Sequence, residues 1–167
     1  MKFVLIGLGI IASIALIVFT MGMLAPRDHR LTLSQSYPVP AATLYELVRN
    51  FEAYPDWRTG IKSMQKDGEL RFIEESGNGK IAYLIIEDQP NTLIISKIDD
   101  PKLPFSGSWT FEIKETNGSS ELRVTEAGSV PNAFVRFFAT YIFSHEKTMR
   151  TYLADVQAKF KKTCARS

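Results

Sequence analysis

Three regimes of hydrophobic patterning divide the chain. From Phe3 to Leu24 the stretch FVLIGLGIIASIALIVFTMGML carries no charged residue and shows no polar face. About 22 residues at about 1.5 Å each span about 33 Å, close to the thickness of a bilayer core. From Leu31 the apolar positions alternate through LTLSQSYPV, which predicts a strand. A short amphipathic helix follows in AATLYELVRNF, with Leu44, Leu47, Val48 and Phe51 on one face and Pro40 at its first turn. In FEAYPDW, Pro55 interrupts further helix, and Asp56 is placed to cap a new short turn running towards Gly60.

The period returns to two from Ile61. IKSMQK, ELRFIEES, KIAYLIIEDQ, TLIISKID, SWTFEIKE and SELRVTEAG read as successive strands. Turn chemistry separates them at Asp67-Gly68, Gly77-Asn78-Gly79, Pro90-Asn91, Pro101 to Gly107 and Asn117-Gly118. Connections this short join antiparallel neighbours, so the strands form a meander. From Pro131 to about Thr163 no internal proline or glycine occurs. There Phe134, Phe138, Tyr141, His145, Met149, Tyr152, Val156 and Phe160 fall at steps of three and four, which predicts one long helix with a continuous apolar stripe.

The predicted class is therefore α+β, a seven-stranded curved antiparallel sheet around a long C-terminal helix, preceded by an apolar N-terminal helix. The expected domains are residues 1–25 as a transmembrane anchor, 26–30 as a polar linker, 31–163 as the folded domain and 164–167 as a tail. One helix does not fill the concavity of such a sheet, so a space is expected between them. Tyr54 and Trp57 are placed to close one end of it, with Pro55 and Asp56 turning the chain between them.

Composition narrows the function class. A net charge of +2 over 167 residues, with no clustered basic face, argues against nucleic acid as a partner. The single cysteine, Cys164, makes no internal disulfide and has no metal-ligand neighbour in the sequence. For the N-terminal stretch a cleaved signal peptide fits less well than a retained anchor. Its apolar run exceeds the usual core of about 7–15 residues, and Met23 and Pro26 surround the only candidate cleavage point. Lys2 on one side is nearly balanced by Arg27 and Arg30 on the other, leaving the orientation open.

No phosphate loop, nucleophile elbow or His pair at metal-ligand helical spacing is present, so no catalytic residue, metal or cofactor is assigned. His29 falls in the linker. His145 is the titratable ring on the apolar stripe, either a structural histidine or a general base or polar anchor. Glu126, on a strand facing the last helix, and Arg136, near that helix's start, either pair across the cavity mouth or stand as separate solvated charges. Asp56 and Arg58 beside Trp57 are candidates for a polar head group. Tyr83, Trp109, Phe111, Phe134, Phe138 and Tyr141 join Tyr54 and Trp57 as the expected ligand-facing aromatics, unless they simply fill a core.

The blocks YPVPAATLYELVRNFEAYPDW and VTEAGSVPNAFVRFF, the latter leading into FSHEKTMRTYLADVQAKF, resemble the START-like helix-grip (SRPBCC) superfamily. Within it they are similar to bacterial proteins grouped as polyketide cyclase/dehydrase-like. The resemblance covers residues 31–163 and leaves the apolar N-terminus outside. It implies a deep apolar cavity and, with the anchor, a single-pass protein of the bacterial inner membrane that binds or transports a hydrophobic small molecule or lipid. It also leaves open a cyclase or dehydratase using the same cavity, or a structural or stress-related module whose pocket is closed.

Overall fold

The structure, a computed structural model, describes residues 2–77, 79–142 and 145–164, with side chains up to 161. Asn78 of the second expected turn, Phe143 and Ser144 of the expected long helix, and the Cys164 side chain lie outside the described residues. Helix α1 (Lys2–Leu24) takes up the apolar N-terminus. Among its residues only Gly22 is buried, and it is long and apolar enough to cross a membrane.

Seven strands follow the alternating segments: β1 (Asp28–Tyr37), β2 (Ile61–Lys66), β3 (Arg71–Ser76), β4 (Gly79–Gln89), β5 (Leu93–Ile98), β6 (Ser106–Thr116) and β7 (Ser119–Ser129). They form one antiparallel sheet in the order β1-β7-β6-β5-β4-β3-β2, so β2 to β7 are a meander and β1 returns to pair with its last member. The β6–β7 hairpin illustrates the turn chemistry. Thr116 pairs with Ser119, and Asn117 and Gly118 between them adopt φ of 52° and 76°, the left-handed pair a two-residue hairpin requires. A register shift between Ile85 and Glu87 bulges β4, and bulges sharpen the twist that makes the sheet concave.

Strand β1 starts at Asp28, earlier than the alternation from Leu31 suggests. Its exposure pattern carries His29 onto the same inward face as Leu31 and Leu33, so His29 belongs to the sheet and not to a linker. The helix after β1, α2 (Ala41–Arg49), buries Leu44 and Val48 as expected. A 3₁₀ helix, Phe51–Asp56, continues directly from it. Pro55 sits inside that helix and Asp56 ends it, so the expected break at Pro55 and fresh cap at Asp56 do not occur. The turn is held instead from across the domain: Asp155 accepts hydrogen bonds from the Thr59 amide at 2.7 Å and hydroxyl at 2.9 Å.

The C-terminal segment departs from expectation. It forms two helices, α3 (Ala133–Tyr141) and α4 (His145–Cys164). Only α4 lies on the sheet in the expected way, burying Met149, Tyr152, Val156 and Phe160 in the core with Tyr37, Leu44, Ile94, Phe111 and Val124. The Tyr37 hydroxyl donates to the Leu153 carbonyl at 3.0 Å and fixes α4 on β1. Helix α3 packs on the end of α1. Ala133 approaches Gly22 so closely that a Cβ there would sit 1.9 Å from its carbonyl oxygen, and the Arg136 guanidinium donates to the Gly22 carbonyl at 2.6 Å. Those contacts turn the Arg136 face of α3 inward, leaving Phe134, Phe138 and Tyr141 about half exposed.

Candidate functional site

The concave face and the helices enclose a cavity of about 410 Å³, within the range of small-molecule pockets. Inward-pointing residues reach it in cross-strand rows that the register dictates. One row runs Ser96, Trp109, Glu126 and the next Gly107, Gly128, His29. Tyr83 of β4, Phe72 of β3 and Phe111 of β6 extend the apolar wall, Tyr54 and Phe51 of the 3₁₀ helix line it at one side, and Val135, Phe138 and Ala139 line it from α3. A hollow of similar volume, about 430 Å³, lies by α2 and the β2–β3 turn, among Arg49, Glu52, Lys66, Glu69 and Arg71. Its wall mixes these charges with apolar residues such as Met64, Leu70 and Ile85.

Two polar clusters interrupt the apolar lining. Beside the 3₁₀ helix, Arg58 and Glu74 form an ion pair at 3.1 Å with both side chains only 14% exposed. The same guanidinium lies over the Tyr54 and Tyr152 rings, at 4.8 and 4.9 Å from their centroids, which adds cation–π attraction in a dry setting. Burial pushes the Tyr54 phenol up to about 12 and the Tyr83 and Tyr152 phenols well above their usual range. These phenols are therefore neutral at physiological pH.

The second cluster sits where α4 begins. His145 Nδ1 lies 3.0 Å from Glu126 Oε1, and His29 Nε2 lies 3.9 Å from the same oxygen. The two imidazoles stack with centroids 4.0 Å apart. His29 fits this place because the residue opposite it on β7 is glycine: a Cβ on Gly128 would come within 2.6 Å of the His29 ring. The hydrogen bond to Glu126 raises the pKa of His145, whereas burial and the neighbouring His145 lower that of His29. The two imidazoles, shifted in opposite directions, thus share one carboxylate.

No protein-family model and no curated protein matches the chain. Solved structures do. A START superfamily protein from Mycobacterium smegmatis superposes with a TM-score of 0.64 at 17% identity, over 81% of this chain and 99% of that one. The chain has the START-like helix-grip fold. Zhui, an aromatase/cyclase from Streptomyces, gives a TM-score of 0.62 at 10% identity, over 81% of this chain and 94% of that one. The di-domain aromatase/cyclase StfQ of the steffimycin biosynthetic pathway gives 0.66 at 9% identity. The match covers 83% of this chain and 52% of that larger protein. At such identities the likeness is one of fold.

Of the sequence candidates Tyr54, Tyr83, Trp109, Phe111, Phe138, Glu126 and His145 lie along the cavity. Trp57 does not. It packs behind the wall, edge-on to Tyr54 and Tyr152, with its indole nitrogen buried and unpartnered among the described residues. Phe134 and Tyr141 face outward, Phe134 against Phe19 of α1 at 5.4 Å. Of the two alternatives for Glu126 and Arg136 neither holds: they do not pair, because Arg136 is buried against the Gly22 and Val130 carbonyls, and neither stands as a solvated charge. Of the suggested head-group pair, Arg58 reaches the cavity and Asp56 does not. His29, Glu74 and Ser96 were missed. For His29 a signal existed: continuing the alternation of Leu31 and Leu33 two residues backward places it on the inward face.

The Arg58–Glu74 pair yields a test. Arg58→Met leaves the Glu74 carboxylate buried without its partner and is expected to cost about 3 kcal/mol of stability in urea unfolding. Adding Glu74→Leu removes the stranded charge and is expected to recover most of that loss. Additive losses in the double variant would contradict a buried, coupled pair.

Proposed function

We propose that the chain is a membrane-anchored binder or carrier of a hydrophobic small molecule or lipid, held in the helix-grip cavity. In this reading α1 is the single membrane span, residues 1–25 form the anchor, and the folded unit begins with β1. The observation that carries the reading is the cavity itself, about 410 Å³ with a largely aromatic wall. A sheet whose core had closed on its helix would leave no such volume. The place of α3 supports the membrane part. Its inner side lines the cavity through Val135, Phe138 and Ala139, while Phe134, Tyr141 and Ile142 add exposed apolar surface beside the last turns of α1. A guest leaving past α3 would emerge where the bilayer begins, avoiding a path through water.

Filling the cavity separates ligand binding from folding. Ser96 lines the space from β5 on the same inward row as Trp109, and Ser96→Phe is expected to lower the affinity for an apolar fluorescent probe at least about tenfold while circular dichroism stays unchanged. Native mass spectrometry of the full chain, taken from its own membranes, is expected to show a retained apolar molecule. Absence of both probe binding and a retained molecule would refute the reading.

A second reading, a cyclase or dehydratase acting on an aromatic polyketide-like substrate, is favoured by one observation. His145, hydrogen-bonded to Glu126, faces the cavity as a group able to give or take a proton. In that case His145→Ala abolishes turnover and spares probe affinity. An unchanged rate in the variant would exclude it.

A further inference from the structure

We propose that His29, Glu126 and His145 form a binding site for a divalent transition-metal ion, of the Zn²⁺ or Fe²⁺ class, at the cavity wall. Ligand atoms of the three residues lie within 4.8 Å of one another. Two imidazoles and one carboxylate are the donor set of many three-ligand metal sites, which leave a further position for water or substrate. Here that position faces the cavity, because all three residues line it.

Three features of the site point to a shared cation. First, His29 Nε2 and Glu126 Oε2 are both buried without a hydrogen-bond partner among the described residues. Buried polar atoms are rarely left so, and an ion is one of the few things that satisfies a nitrogen lone pair and a carboxylate oxygen together. Second, the spacing is near what a metal needs. Bonds of roughly 2.0–2.2 Å place neighbouring ligand atoms roughly 3.0–3.5 Å apart. Glu126 Oε1 to His145 Nδ1 is already 3.0 Å, and Glu126 Oε1 to His29 Nε2, at 3.9 Å, closes with a small turn of the imidazole. Third, the supports are rigid. His29 and Glu126 stand on the paired strands β1 and β7, and Gly128 leaves the room in which the His29 ring lies.

The site stands independently of the apolar-ligand reading, so the test follows both. The full chain in detergent micelles, freed of metal by chelation, is titrated with Co²⁺ and with Zn²⁺. Expected is one equivalent of bound ion, Co²⁺ absorption bands of four- or five-coordinate intensity, and a rise in melting temperature with added Zn²⁺. His29→Ala, Glu126→Gln and His145→Ala are each expected to weaken Zn²⁺ binding by about 100-fold or more, at or beyond the upper end of losses caused by removing mere supporting groups. His29→Gln serves as the second variant if alanine unfolds the strand edge. Binding of an apolar probe to the metal-free protein, measured in the same samples, tells failure of this site from failure of the cavity. Absence of the cobalt bands, or equal affinity in wild type and variants, would overturn the proposal and leave an ordinary Glu126–His145 hydrogen bond stacked beside His29.

Discussion

The structure depends on a mismatch of widths. Seven antiparallel strands, bent by twist and bulges, make a concave face broader than one helix covers. Helix α4 settles against β1 and β7 and packs Met149, Tyr152, Val156 and Phe160 into the core. Its stripe leaves part of the inner face of β3 to β6 uncovered, and there the cavity opens. The flanking elements shield this surface without filling it. The 3₁₀ helix supplies Tyr54 and Phe51, while α3 supplies Val135, Phe138 and Ala139.

Burial in that space explains why its polar groups come in clusters. A lone charge away from water is costly, so Arg58 is matched with Glu74 and sandwiched by tyrosine rings. Glu126 is likewise shared between His145 and His29. In the first cluster the two charges satisfy one another. The second retains a buried nitrogen and a buried carboxylate oxygen without partners among the described residues. An aromatic cavity with one paired cation and one unsatisfied His/Glu/His group suits a guest that is mostly apolar with a small polar part.

The sheet was legible in the sequence because its signal is local. Alternation in segments such as SWTFEIKE puts Trp109, Phe111 and Ile113 on one face, and Asn117-Gly118 leaves little freedom of turn type. The α3–α4 division was not legible. No proline or glycine marks it, and it follows from contacts more than a hundred residues apart in sequence, Arg136 with the Gly22 carbonyl above all. Those contacts also rotate α3, so that Phe134 and Tyr141 leave the stripe to which their spacing assigns them. The His29–His145 stack was hidden for a similar reason. It arises from the β1–β7 register and the absent side chain at Gly128. Trp57 illustrates a limit of another kind: its turn position was clear, but local patterning does not tell a ring that faces the cavity from one that backs its wall.

Tryptophan quenching addresses the open cavity most directly, because the chain has two tryptophans and only Trp109 lines the space. The full chain in detergent is titrated with a brominated fatty acid, once as Trp57→Phe and once as Trp109→Phe. An accessible apolar cavity requires saturable quenching of the Trp109 emission in the first variant and little saturable quenching of Trp57 in the second. No saturable quenching in the Trp57→Phe protein would mean that the space beside Trp109 admits no apolar chain, contrary to the central claim.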